Sequence, residues 1–173
     1  VTRFASGTVS LERSAVLPSL IVGEAVAGAK ALADVSGVVL VNEVETSVQS
    51  AHLDRARLVE ALKQLLENAV KFGPEGGQVT VRLVEDSAGD GERDSLLFWV
   101  EDQGFGIPVE DRERVVQPFF QLDGSATRCV GGAGLGLTIA DRTARLHGGE
   151  LRITGTPKGG AAICIRVPTR PDG

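Results

Sequence analysis

The chain predicts an α/β two-layer sandwich, and three observations carry that expectation. Residues 54–72 hold a clean apolar stripe at helical spacing. Several short runs either alternate apolar and polar residues or are rich in β-branched ones, as strands do. Helical stretches come first and then recur between the strands, the order that builds a sheet with helices packed against it. With 173 residues, 42% of them hydrophobic, the chain fits one domain with a sizeable core.

Residues 1–15 are polar, carry Gly7 and several Ser and Thr, and read as a tail or linker. A helix follows over 18–33, with Pro18 in its first turn and Ile21, Ala25, Ala29 and Leu32 at helical spacing, against the grain of Gly23 and Gly28. Val38 to Val41 is a β-branched run after Gly37 and reads as a short buried strand. Residues 43–52 are polar, with Val44 and Val48 in loose alternation, and suggest a second strand. Asp54 caps the long helix. Its stripe is Leu58, Ala61, Leu62, Leu65, Leu66, Ala69 and Phe72, and Gly73-Pro74 stops it. Strands are expected at 78–84 and 96–100, joined by a charged turn at 85–94 that reads as a mobile hairpin tip. The second strand runs straight into Glu101-Asp102. Short helices are expected at 108–116 and 134–146, the latter ended by His147-Gly148-Gly149. A hairpin of 150–154 and 162–167 around Pro157-Lys158-Gly159-Gly160 closes the domain.

Net charge is −5, with both signs mixed along the chain. That argues against nucleic acid or an anionic membrane as a partner, since both call for a clustered basic patch. Cys129 and Cys164 lack the spacing and His partners of a zinc site, and a reducing cytosol suits them. The most apolar stretch, 17–41, is broken by Glu24, Lys30 and Asp34, so no membrane span and no signal peptide is read.

Three groups of residues offer chemistry. Gln64, Asn68 and Lys71 lie at i, i+4 and i+7 on the polar side of the 54–72 helix. Amide oxygens suit Mg2+ and an ammonium suits phosphate, while the plain reading of the same stripe is a solvated helix face. Asp102 follows a strand and precedes Gly104 and Gly106. Its carboxylate can accept from an exocyclic amine while the glycines let the chain wrap a base, or it is simply a turn residue. The cluster Gly132 to Gly136 opens a helix at Gly134 or Leu135 and either forms an anion site at a helix N-terminus or is a flexible loop. Between the glycine clusters lies a polar connection of about twenty residues, longer than most structureless loops. No G-x-x-x-x-G-K-[ST] loop, dinucleotide fingerprint, H-R-D or D-F-G occurs.

In order, these stretches resemble the ATP-binding catalytic domain of bacterial sensor histidine kinases, within a superfamily that includes gyrase, a heat-shock chaperone family and the MutL repair proteins. Asp54 to Phe72 looks like the asparagine box, Asp102-Gln103-Gly104-Phe105-Gly106-Ile107-Pro108 like the first glycine box, and Pro118-Phe119-Phe120 like the phenylalanine box. Gly131-Gly132-Ala133-Gly134-Leu135-Gly136-Leu137 looks like the second glycine box. The resemblance covers about residues 10–168, and four boxes in register are specific. It implies a Bergerat-type fold, a mixed sheet of about five strands on three helices with a mobile ATP lid. It also implies that 16–170 form the catalytic domain and 1–15 a linker from an upstream dimerisation and phospho-acceptor domain.

The roles implied are as follows. Asn68, with Gln64, would hold Mg2+, Lys71 would contact phosphate and Phe72 would flank the nucleotide. Asp102 would read the adenine amine, with Gly104, Gly106 and Ile107 shaping the pocket. Phe119 and Phe120 would belong to the lid, and Arg128 would reach the terminal phosphate. Gly132, Gly134, Leu135, Gly136 and Leu137 would border the phosphates, and Ala161 would line the nucleotide site near them. Gln64 replaces a frequent Asn, Val116 an aromatic, and Ala133 and Ala161 frequent threonines. The implied partners are ATP or ADP, a histidine-bearing dimerisation domain and a response regulator. A homodimer is implied only for the full-length protein, and the location is cytoplasmic even where the parent is membrane-anchored.

Alternatives from other classes are a gyrase-like or chaperone-like ATPase, an anti-sigma-type serine kinase, or a module that only docks partners. The neutral Gln64, where such ATPases carry a Glu that activates water, argues for transfer over hydrolysis. Glu67 points about 100° away around the helix and is a poor substitute. His52 and His147 both read as structural, His147 at a helix C-terminus that would favour its charged form.

Overall fold

The computed structural model describes residues 9–87, 94–118 and 136–171. In chain order the elements are β1 (Ser14–Val16), α1 (Pro18–Val35), β2 (Val39–Glu45), β3 (Ala51–Leu53), α2 (Arg55–Phe72), β4 (Gln78–Asp86), β5 (Ser95–Glu101), a single 3-10 turn (Val109–Asp111), α3 (Gly136–Leu146), β6 (Glu150–Gly155) and β7 (Ala161–Pro168). Five strands form one mixed sheet in the order β2-β4-β5-β7-β6. The β2–β4 pair is parallel and the others are antiparallel. The three helices lie side by side on one face, with α2 between α1 and α3. This is the two-layer sandwich of five strands and three helices that the sequence predicts.

The core forms where the stripe of α2 meets the inward residues of the sheet. Leu58, Leu62, Leu65 and Leu66 are buried against Val79, Val81, Leu83, Leu96, Phe98, Val100, Ile163, Ile165 and Val167. Each such side chain contributes roughly 1.5–3 kcal/mol by leaving water. Burial of one face fixes α2 in rotation, and this turns its polar stripe away from the buried face. Cys164, on the opposite sheet face across from Trp99, is fully buried, and burial pushes its thiol up to about 12.

Four local expectations need correcting. Val38 to Val41 is not a buried strand: β2 runs on to Glu45 at the sheet's edge, with one neighbour only, and Val39 is 57% exposed. Residues 43–52 are not one strand either. The Glu85 carboxylate gathers the Thr46 hydroxyl and the backbone N–H groups of Ser47 and Val48, and this turn separates β2 from β3. The stretch 108–116 forms one 3-10 turn and further turns rather than a helix: the N–H groups of Asp111, Arg112 and Arg114 bond three residues back, and Val115 bonds four back to Asp111. Residues 14 and 15, read within a tail, pair with β3 in a two-stranded ribbon. The lid and its phenylalanines fall outside the described residues.

The ribbon is tied to the helical layer through a buried node. Asp54 caps α2 by accepting from Arg57 N–H at 3.1 Å, and its other carboxylate oxygen accepts from Glu12 N–H at 2.9 Å. The Asp54 backbone N–H donates to His147 Nε2 at 3.1 Å, so that nitrogen is an acceptor. His147 Nδ1 must then carry the proton, and it donates to the Thr143 carbonyl at 2.8 Å. Both ring positions are assigned and the imidazole is neutral. The sequence expectation of a charged His147 fails because the ring is 1% exposed and donates back to its own helix.

Burial pushes the His147 pKa below the 6.5 of a free imidazole, Arg13 and Arg57 push the same way, and the Thr143 bond and Asp54 oppose them. The unfolded chain therefore takes up a proton below about pH 6.5, and the folded chain resists it. Stability from this group is complete above that pH and falls as the pH drops, by at most about 1.36 kcal/mol per unit. Urea titrations at several pH values should show wild type losing stability relative to His147→Gln on acidification. Parallel curves for the two proteins would contradict a buried neutral ring.

Candidate functional site

The C-terminal half of α2, the exit of β5, the β6–β7 turn and the first turn of α3 converge at one end of the sheet. Gln64 and Asn68 are half-buried on α2, and Lys71 and Phe72 are exposed at its end. The Gln64 amide nitrogen donates to Glu60 Oε1 at 2.8 Å. Glu67 pairs with Lys63 across one turn at 3.8 Å, consistent with a surface role. No described residue forms an ion pair with Lys71. Asn68 reaches α3: a Cβ placed on Gly136 would lie 2.7 Å from Asn68 Nδ2. Glycine at 136 leaves the amide its place, where a Cβ would make it turn aside.

Asp102 is fixed by three backbone bonds. Its N–H donates to the Ala161 carbonyl at 2.9 Å. One carboxylate oxygen, Oδ1, accepts from Gly104 N–H at 2.9 Å and from Ala161 N–H at 3.0 Å. Oδ2 has no hydrogen-bond donor among the described residues. The carboxylate is thus oriented by one oxygen and free to accept with the other. Ala161, which lacks the hydroxyl of a Thr, enters the site through its backbone.

The approach of the two strands demands glycine at position 160, where a Cβ would sit 2.0 Å from the Asp102 carbonyl oxygen. The sequence reading placed Gly160 in a turn and missed this role, although the pair Gly159-Gly160 was the available signal. Gly104 abuts the Phe72 carbonyl and Gly106, at φ +73°, abuts the Gly159 carbonyl. These contacts bring the Asp102 loop against both α2 and the β6–β7 turn. Ile107 packs its side chain on the core, and its carbonyl accepts from Arg112 Nε at 3.0 Å. Phe105 projects into solvent, 75% exposed.

Of the residues singled out in the sequence, Gln64, Asn68, Lys71, Phe72, Asp102, Gly104, Gly106, Ile107, Gly136, Leu137 and Ala161 lie on these four elements. Phe119, Phe120, Arg128, Gly132, Gly134 and Leu135 fall outside the described residues. The Thr138 hydroxyl donates to the Val116 carbonyl at 2.6 Å, which joins the residues on either side of that stretch. Sequence reasoning did not find Thr138 or Arg112, because neither belongs to a recognisable spacing.

Chemically, the site offers a seated carboxylate and two amide side chains on one helix face, and among the described residues one carboxylate oxygen and the Lys71 ammonium have no partner, beside the first turn of α3. A carboxylate acceptor suits an amino group on a base, and hard amide oxygens beside a helix N-terminus suit a divalent cation carried by phosphates.

A family profile described as histidine kinase-, DNA gyrase B- and HSP90-like ATPase matches residues 53–171. The sensor-like histidine kinase SenX3 of Mycolicibacterium smegmatis is 32% identical over 152 residues, 88% of this chain and 38% of that protein. The chain therefore spans well under half the length of the curated relatives it matches. The mycobacterial sensor histidine kinase MprB superposes with a TM-score of 0.70 at 27% identity, covering 94% of this chain and 99% of that one. Full-length ShkA in complex with AMPPNP gives a TM-score of 0.79 at 27% identity over 96% of this chain and 33% of that one. No described helix is long and apolar enough to cross a membrane.

Two glycine substitutions should separate backbone from side-chain crowding. Gly160→Ala forces backbone against backbone and should cost about 1–3 kcal/mol in denaturant titrations. Gly136→Ala meets only the Asn68 amide, which can turn aside, and should cost less. The reverse order would mean that the β5–β7 approach is looser than described.

Proposed function

The chain belongs to the family of histidine kinase-, DNA gyrase B- and HSP90-like ATPases, and from that premise we propose that it is the ATP-binding catalytic domain of a sensor histidine kinase. Its task is to present the γ-phosphoryl of ATP to a histidine on a separate dimerisation domain, for relay to an aspartate of a response regulator. The observation that carries the reading is Asp102. Two backbone N–H groups fix one oxygen and leave the other as an acceptor for the adenine amine. A base with a carbonyl there would set acceptor against acceptor, so adenine is favoured over guanine.

Asn68 and Gln64 are the residues whose amide oxygens would hold Mg2+, which supplies charge neutralisation between the phosphates. Lys71 lies one turn beyond Asn68 and adds a point charge for phosphate. Gly136 and Leu137 begin α3, where free N–H groups and the positive end of the dipole favour an anion. Arg128, Gly132, Gly134 and Leu135 are proposed to complete the phosphate side, and Phe119 and Phe120 to border the nucleotide. None of these groups is a base for water. Gln64 is neutral and Glu67 is engaged by Lys63, so transfer is favoured over hydrolysis. Catalysis is then positioning and charge stabilisation.

Neither histidine of the chain fits the acceptor. His147 is buried with both nitrogens bonded, and His52 lies in β3 just before the N-terminus of α2, at the other end of that helix from Asn68 and Lys71.

Calorimetry should show ATP binding that strengthens with Mg2+. Asp102→Asn keeps an oxygen for Gly104 and Ala161 but turns an NH2 toward the base, and should weaken binding at least about tenfold without unfolding the chain. Undiminished binding by that variant would sink the adenine assignment. Radiolabelled ATP should leave no acid-labile phosphate on the chain alone, and label on it would contradict the division of labour.

A further inference from the structure

The β4–β5 ladder stops at Thr80 and Glu101, and a side chain stands where its next rung would be. In that antiparallel register the position across from Gln78 is Gln103. Backbone groups along a strand point alternately to the neighbour on either side. The Gly77 carbonyl accepts from Val39 N–H on the β2 side, so Gln78 turns its own N–H toward β5. A continued ladder would meet that N–H with the backbone carbonyl of Gln103. The acceptor is instead the Gln103 side-chain oxygen, Oε1, at 3.0 Å.

Which of its two oxygens Gln103 uses decides where the next peptide points. The Gln103 carbonyl and the Gly104 N–H belong to one planar unit and point in opposite directions. With the carbonyl committed to Gln78, the N–H would run along the sheet toward the β6–β7 turn. It donates instead to Asp102 Oδ1, two residues back, at 2.9 Å. This is a turn of the Asx kind, and it requires the 103–104 peptide to stand outside the ladder. Gly104 then reaches the end of α2, where a Cβ on it would lie 2.7 Å from the Phe72 carbonyl oxygen.

Gln103 is exposed, so core packing does not hold it in place. Gly77 leaves the room it needs, since a Cβ there would press on Oε1 at 3.3 Å.

We propose that Gln103 is a positioning residue for Asp102. Its amide oxygen takes the place of its own backbone carbonyl at the end of the β4–β5 ladder. The 103–104 peptide is thereby released to orient the carboxylate through Gly104 N–H. The consequence for ligand binding rests on the nucleotide reading above, and the geometric role does not.

The test begins with amide hydrogen exchange, measured by NMR on the chain without nucleotide. Gln103→Leu removes the acceptor and should speed exchange at Gly104 N–H about tenfold. Gln103→Glu keeps an oxygen for Gln78 and should stay within about twofold of wild type. Arg82 N–H, inside the ladder, reports that the sheet is intact in both variants. A Gly104 rate unchanged by Gln103→Leu, or raised equally by Gln103→Glu, would overturn the proposal. Adenosine, uncharged and so insensitive to the added carboxylate, is then titrated into all three proteins. Its dissociation constant should rise about threefold or more in Gln103→Leu and hold in Gln103→Glu. Unchanged adenosine affinity beside a released Gly104 N–H would overturn the link to the base. A wild-type chain that binds no adenosine would remove the nucleotide reading, and the exchange rates alone would then decide the role of Gln103.

Discussion

Asp54 can serve three elements at once because its carboxylate and its own N–H point in different directions. One oxygen caps α2, the other holds the chain at Glu12, and the N–H runs into the ring of His147 at the end of α3. Remove that junction and α2 loses its cap, while the β1–β3 ribbon and α3 lose their common anchor. Asp54 and His147 themselves are buried, and the bond between them acts where water cannot replace it. The position of α2 relative to α3 is thereby fixed at one end by hydrogen bonds and along the rest of its length by apolar packing.

The site grows out of the opposite ends of those same helices. The stripe that buries α2 leaves Gln64, Asn68 and Lys71 at its margin, and the anchoring of α3 sets how closely Gly136 meets Asn68. Asp102 owes its orientation to a different constraint, the pairing of β5 with β7, which brings Ala161 N–H to its carboxylate. Two independent pieces of architecture therefore meet at one place. One, built of helices, is suited to phosphates and a cation. The other, built of strands, is suited to a base.

The parts of this arrangement visible in the sequence are those with a short-range period. Leu58 to Ala69 announces α2, and alternation at Val79, Val81 and Leu83 announces β4. The first glycine box announces where backbone approaches backbone, as at Gly104 and Gly106, and register among the asparagine, phenylalanine and two glycine boxes identified the family. What escaped was set by distant partners. Val39 looks buried by composition and is exposed because β2 lies at an edge. Ser14 and Ala15 look like a tail and become part of a strand only when β3 is beside them. The neutral form of His147 depends on Asp54, 93 residues away. Gly160 looks like turn chemistry until Asp102 is placed against it.

The register of β5 against β7 has a consequence for how this domain can be altered. Side chains along a strand alternate between the two faces, so inserting one residue between Ser95 and Glu101 would turn every following side chain over. Asp102 would leave the pocket without any change to its own letter. The other end of the same hairpin obeys no such restriction. Asp86 and Ser95 close β4 and β5 six pairs away from the Thr80–Glu101 end. Length added between them alters no pairing in the sheet. A fluorophore-bearing loop or a whole second domain spliced in there would ride on the sheet's far end, while the Asp102 end keeps its geometry.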